Sequence, residues 1–120
     1  VIKPATLEDV KILTDSRKLT WQGDLALDVC YIVEQGESRM LFTMAPAQDG
    51  VETHICCPPE CVKQSRAMAR EIIAFAKFLG YQKLYTTAAP QYKTAHNMAR
   101  RLGFELTGEV DGEAVYCLEL

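Results

Sequence analysis

Hydrophobic positions along the chain change period several times, and each change predicts a new element. Val1 to Lys3 is short and extended, and Pro4-Ala5-Thr6 leads into a helix over about Leu7 to Arg17. Leu7, Val10 and Leu13 share one face of that helix, Thr6 stands at the N-cap, and Glu8 and Asp9 place negative charge in the first turn. Leu19 to Asp24 reads as a loop. From Leu25 to Val33 the apolar residues recur every second position, the period of a strand. Gln35-Gly36-Glu37-Ser38 turns the chain, and Arg39 to Met44 returns as a second strand. Ala45 to Gly50 reads as the next turn and Val51 to Cys57 as a third meander strand, stopped by Pro58-Pro59.

Helical spacing returns over about Ser65 to Leu79, where Met68, Ile72, Phe75, Ala76 and Leu79 share a face and Gly80 marks the stop. Lys83 to Thr87 predicts a short strand, Tyr92 to Leu102 a last helix ended by Gly103, and Phe104–Glu109 with Glu113–Leu120 a closing hairpin around Asp111-Gly112. The predicted order, β-α-βββ-α-β-α-ββ, implies an α/β fold with a mixed, largely antiparallel sheet flanked by helices.

The 120 residues suit one domain, residues 1–120, and 48% hydrophobic with 24% charged residues predicts an ordinary globular core. A net charge of −3 argues against non-specific nucleic-acid binding, which depends on a cationic surplus. No apolar run approaches a membrane span, and the first residues lack a signal-peptide core, so a cytoplasmic location is expected. The five cysteines are odd in number and irregularly spaced, which fits reduced thiols, with Cys30 and Cys117 read as small buried hydrophobes.

The element order, together with Phe78-Leu79-Gly80-Tyr81 before a strand and Arg101-Leu102-Gly103-Phe104-Glu105 after the last helix, resembles the GNAT superfamily of N-acetyltransferases. The likeness covers nearly the whole chain, although the first helical region is shorter than the two helices usual there. The brevity is similar to that of phage-encoded members. The resemblance implies acetyl-CoA as co-substrate, with its pyrophosphate at the start of the long helix, where free amides and the helix dipole favour an anion. The superfamily's turn, Arg/Gln-x-x-Gly-x-Gly/Ala, falls on Gln64-Ser65-Arg66-Ala67-Met68-Ala69, with Ala67 in place of the first glycine. Cofactor-binding candidates are therefore Cys56, Lys63, Gln64, Ser65, Arg66, Ala67 and Ala69. Lys63 and Arg66 would add charge-assisted phosphate contacts and Ser65 would serve as N-cap or donor. The bland alternative is a plain solvated helix start.

Acetyl transfer to an amine needs a base for the amine and an acid or hydrogen bond for the departing thiolate. In such enzymes the base often lies on the strand before the pyrophosphate turn, where Glu52 and His54, two residues apart, share a face. The superfamily's acid, the Tyr of N-x-x-A-x-x-L-Y-x-x-L-G-F, falls on Ala99, which leaves Tyr92 as substitute candidate or as a packing residue. His54, Cys57 and Cys61 form a His-x-x-Cys-x-x-x-Cys cluster, but a fourth zinc ligand is not evident and no metal site is assigned. His96, with Lys93, Arg100 and Arg101, forms a basic stripe that would meet adenosine phosphates, an acidic partner or only solvent.

Two functions follow. The first is acyl-CoA-dependent transfer to a primary amine, the acceptor being a small molecule or a protein; a homodimer is a further option. The second is a non-catalytic binding or structural domain that kept the scaffold, a reading that Ala67 and Ala99 favour.

Overall fold

Thr6 opens the first helix by a reciprocal cap, its Oγ1 accepting the Asp9 amide at 3.1 Å while Asp9 Oδ2 accepts the Thr6 amide at 3.0 Å. This computed structural model describes residues 1–15, 29–47 and 49–120, with only the backbone of Asp15. The expected end of the first helix, the loop at Leu19 to Asp24 and the strand residues Leu25 to Asp28 lie outside the described residues.

The elements in chain order are β1 (Ile2–Pro4), α1 (Leu7–Asp15), β2 (Cys30–Gln35), β3 (Ser38–Thr43), β4 (Ala45–Ala47), β5 (Gly50–Glu52) and β6 (Ile55–Cys56). A 3₁₀ helix (Pro59–Gln64) then runs into α2 (Ser65–Phe78), followed by β7 (Lys83–Ala88), α3 (Lys93–Arg101), β8 (Glu105–Val110) and β9 (Glu113–Glu119). The mixed α/β class and the flanking helices follow the sequence expectation.

Two expectations are corrected. Ala45–Ala47, read as a turn, is a strand paired with Gly50–Glu52. The single meander strand from Val51 to Cys57 is two strands in two sheets: β6 closes a sheet ordered β1-β2-β3-β6, and β5 belongs to one ordered β4-β5-β7-β9-β8. One hairpin bridges both sheets without a change of register, from Leu41↔Cys56 and Phe42↔Ile55 to Ala45↔Glu52 and Pro46↔Val51. Among the described residues only β5 and β7 pair in parallel, joined through α2.

The clean alternation of a half-buried strand fails at β2 because both its faces are covered. Val33, with Met40 and Phe42, packs in a cluster with Met68, Ile72 and Ala76 of α2 and Ala99 of α3. Cys30, Ile32, Leu41 and Cys56 pack with Leu13 of α1. Tyr31, Phe42 and Phe75 join β2, β3 and α2, with ring centroids 5.4–6.3 Å apart. Each fully buried side chain of this size contributes roughly 1.5–3 kcal/mol, so the sheet is fixed from both sides.

Candidate active site

Between β5 and β6 the chain passes from one sheet to the other, and hydroxyls shape the crossing. Thr43 N–H donates to His54 O at 3.0 Å, as a ladder requires, but His54 N–H donates to the Thr43 side-chain Oγ1, also at 3.0 Å. The next pair points its amides outward: Met44 N–H reaches Val29 O and Thr53 N–H reaches Tyr85 O, each at 2.8 Å. Beyond Thr53, β6 pairs with β3, while β7 runs on through Thr86, Thr87 and Ala88 against β9. The two parallel neighbours therefore part after Thr53. Thr53 is 2% exposed at that parting point, and its Oγ1 has no hydrogen-bond partner. A buried hydroxyl left so is costly, and it offers a donor and an acceptor to a polar chain entering there.

Glu52 and His54 flank Thr53 and face the opposite side of the strand. Glu52 Oε1 lies 2.7 Å from His54 Nε2, with the two side chains 41% and 46% exposed. A carboxylate only accepts, so Nε2 carries the hydrogen and the neutral ring leaves its Nδ1 lone pair free to take a proton. Both residues line an open groove of about 440 Å³ with Tyr85 and Thr87 of β7, Asp49 of the β4–β5 turn, and Asp111 and Glu113 of the β8–β9 hairpin. Tyr85 donates its hydroxyl to Asp49 at 2.8 Å, a bond that pushes the phenol up to about 12 and lowers the Asp49 carboxyl.

The candidates around the long helix are arranged differently from the expectation. The 3₁₀ helix continues into α2, so Ser65 is the first α-helical residue and not a cap. Its amide donates to Val62 O, and its hydroxyl donates to the same carbonyl at 2.7 Å. Gln64 takes the N-cap place without a side-chain capping bond; its Oε1 accepts Ser38 Oγ–H at 3.1 Å instead. Lys63, Arg66 and Ala67 are exposed, whereas Ala69 is buried. Cys56 is buried on the α1 side, its thiol donating to Leu13 O at 3.3 Å. Cys61 packs in the α2 cluster, apart from His54 in the groove.

Tyr92 precedes α3, is 54% exposed, and does not line the Glu52–His54 groove. Ala99 is buried in one cluster with Tyr116. His96, expected on a solvated stripe, turns inward. Its Nε2–H donates to Ala89 O at 2.9 Å, so Nδ1 accepts the hydroxyl of buried Tyr116 at 2.7 Å. Lys93, Asn97 and Arg100 line a second hollow of about 370 Å³ beside it.

Glu52 and His54 were candidates from the strand position to which the resemblance pointed and from their two-residue spacing, and the structure brings their side chains together. Thr43, Thr53, Tyr116 and the hairpin carboxylates were missed, since it is pairing between segments distant in sequence that brings them to these places.

Solved structures share this fold. An IAA acetyltransferase from Bacillus cereus superposes with a TM-score of 0.78 at 16% identity, covering 100% of this chain and 99% of that one. The chain has the GNAT acetyltransferase fold. An N-acetyltransferase from Staphylococcus aureus matches with a TM-score of 0.71 at 15% identity, over 99% of this chain and 97% of the other. A Bacillus subtilis acetyltransferase in complex with CoA matches with a TM-score of 0.65 at 15% identity over 76% of each chain. No protein-family model matches the sequence, and a search of curated proteins finds no significant relative. Among the described residues of this GNAT-fold chain, no helix is long and apolar enough to cross a membrane.

Proposed function

We propose that the chain transfers an acetyl group from acetyl-CoA to a primary amine, with His54 as base and Glu52 as the residue that orients it. The observation that carries this reading is the 2.7 Å Glu52–His54 pair on the strand where β5 and β7 part company. The pair lies on the groove side, and the unpartnered Thr53 hydroxyl lies between its two members on the opposite side. A pantetheine chain is rich in amide donors and acceptors and fits that hydroxyl; Lys63 and Arg66, exposed at the start of α2, fit the pyrophosphate. The CoA complex of the B. subtilis structure supports the same co-substrate class.

The thioester, when bound, supplies an activated acyl carbon and a thiolate leaving group. A primary ammonium entering the groove gives one proton to His54 Nδ1 and becomes nucleophilic, while Glu52 accepts the Nε2–H and stabilises the imidazolium that forms. The nitrogen–carbon bond forms, the carbon–sulfur bond breaks, and the second proton lost by nitrogen balances the thiolate.

Ala99 favours a second reading, a scaffold without chemistry, because a buried methyl group replaces the acid that the resemblance leads one to expect. Calorimetric titration with acetyl-CoA and an acetyl-transfer assay decide between them. The first reading expects binding, transfer, and a fall of about 100-fold or more in transfer for His54→Gln with binding kept. Binding absent at millimolar acetyl-CoA would leave the scaffold reading.

A further inference from the structure

Thr53 separates the two faces of the strand that carries the site. Glu52 and His54 turn to the groove, whereas Val51 and Thr53, also two residues apart, turn to the other face, where Val51 packs in the cluster that holds Met68 and Ile72 of α2. The acceptor groove and the helix assigned to the pyrophosphate therefore lie on opposite sides of this residue. Its hydroxyl is closed to water and unmatched, an arrangement that costs stability in the free protein and gives the oxygen no structural use. The register between β5 and β7 ends at Glu52↔Tyr85, and the Thr53 amide adds one more bond, to Tyr85 O at 2.8 Å. Beyond that bond the two strands pair with other neighbours, so they are free to separate further and uncover the hydroxyl. The tyrosines expected to serve the leaving group are engaged elsewhere. Tyr85 donates to Asp49, Tyr116 donates to His96, Tyr92 stands off the groove, and Ala99 brings only a methyl group.

We infer that the Thr53 hydroxyl donates a hydrogen bond to the thioester sulfur and stabilises the thiolate as it leaves, in place of the acid missing at Ala99. This rests on the reading of His54 as the acyl-transfer base. The attacked carbon stands between nitrogen and sulfur, so a base on one face of the strand and a donor on the other suit the two ends of the exchange. The nitrogen–carbon bond forms, the carbon–sulfur electron pair goes to sulfur, and Thr53 keeps its proton, because an alcohol is a far weaker acid than a thiol. A donor aimed at developing charge acts mainly in the transition state, so its removal falls on kcat more than on KM.

The experiment compares the full wild-type chain with Thr53→Val, which keeps the shape without the oxygen, and Thr53→Ser, which keeps the oxygen. Thr53→Val should melt at or above the wild-type temperature, since the hydroxyl it removes is unmatched. Calorimetry at about pH 9, where a free thiol is largely ionised, sets CoA against desulfo-CoA, in which hydrogen replaces the thiol. Wild type and Thr53→Ser should prefer CoA by about tenfold or more, and Thr53→Val should lose most of that preference. In acetyl transfer, Thr53→Val should lower kcat by about 100-fold with KM for acetyl-CoA within about twofold, and Thr53→Ser should restore most of the rate. A preference for CoA that Thr53→Val leaves unchanged would overturn the inference; if both ligands weaken together, the hydroxyl serves a pantetheine amide instead. Wild-type kcat in Thr53→Val would overturn it as well, while leaving the role of His54 intact. No transfer by wild type, with the preference present and lost in Thr53→Val, would remove the acyl-transfer reading and uphold the sulfur contact.

Discussion

The His54 amide is bonded to the hydroxyl of Thr43 and not across to its carbonyl, and this 3.0 Å contact lies at the place where the two sheets separate. Thr43 is 1% exposed, so no water stands ready to replace it.

Thr43→Val should therefore strand a buried amide and cost roughly 1–3 kcal/mol, whereas Thr43→Ser keeps the oxygen and loses only a methyl group. Urea denaturation of the three proteins measures this. Acetyl transfer should fall in the valine variant, since His54 is re-aimed. Equal stability of Val and Ser variants would show that the contact does not hold the joint.

Gly50 begins β5 where the backbone passes close to β7. A Cβ there would run into the Lys83 carbonyl oxygen, which is backbone and cannot yield without moving the strand. Gly50→Ala should destabilise by about 1–3 kcal/mol. Gly108→Ala, with open space around the added carbon, should stay within about 0.5 kcal/mol of wild type. Thermal melts of both variants provide the comparison; matched melting temperatures would contradict the close approach.

Asp9 is held at about 2, by the Thr6 amide first and by Arg39 at 2.7 Å second. Because the folded value lies below the ordinary 3.8, the stabilisation is present above the unfolded value and is lost as pH falls through the folded one. It amounts to roughly 2 kcal/mol. Between pH 5 and pH 2 wild type should lose most of that amount through this group. Asp9→Asn should be less stable at pH 5 and should lack this component of the acid loss. Urea titrations at four pH values check it, and parallel pH profiles would refute it.

Local pattern carried most of the fold into view. The apolar face of α2, the extent of α3, the Gly80 and Gly103 stops and the Asp111-Gly112 turn are set by residues adjacent in sequence, and they lie where expected within a residue or two. The splitting of the third strand was hidden, because Val51 to Cys57 alternates acceptably as one strand and only Thr43, eight or more residues away, shows where it divides. The same holds at the site. Glu52 and His54 were visible as neighbours on a face, but the carboxylates opposite them come from a hairpin more than fifty residues later. His96 looked like part of a charged surface until its partner Tyr116 was in place.

The start of α2 provides the sharpest remaining test. Because the 3₁₀ helix leads directly into it, the Ser65 amide and hydroxyl both serve Val62 O and are not free for a phosphate. Fewer main-chain donors place more of the burden on the exposed cations Lys63 and Arg66, neither of which has an ion-pair partner among the described residues. Each should lose a charge-assisted phosphate bond on mutation to alanine, weakening acetyl-CoA binding by roughly 1.5–3 kcal/mol, or about tenfold or more. Folding stability should barely change, because both side chains are solvated. Acetyl-pantetheine lacks the pyrophosphate, so its affinity should be the same in wild type, both single variants and the double variant. Titration of all four proteins with both ligands separates the contributions. If the double variant binds acetyl-CoA as tightly as wild type, the remaining helix amides hold the phosphates alone, and the cations at 63 and 66 have no part in it.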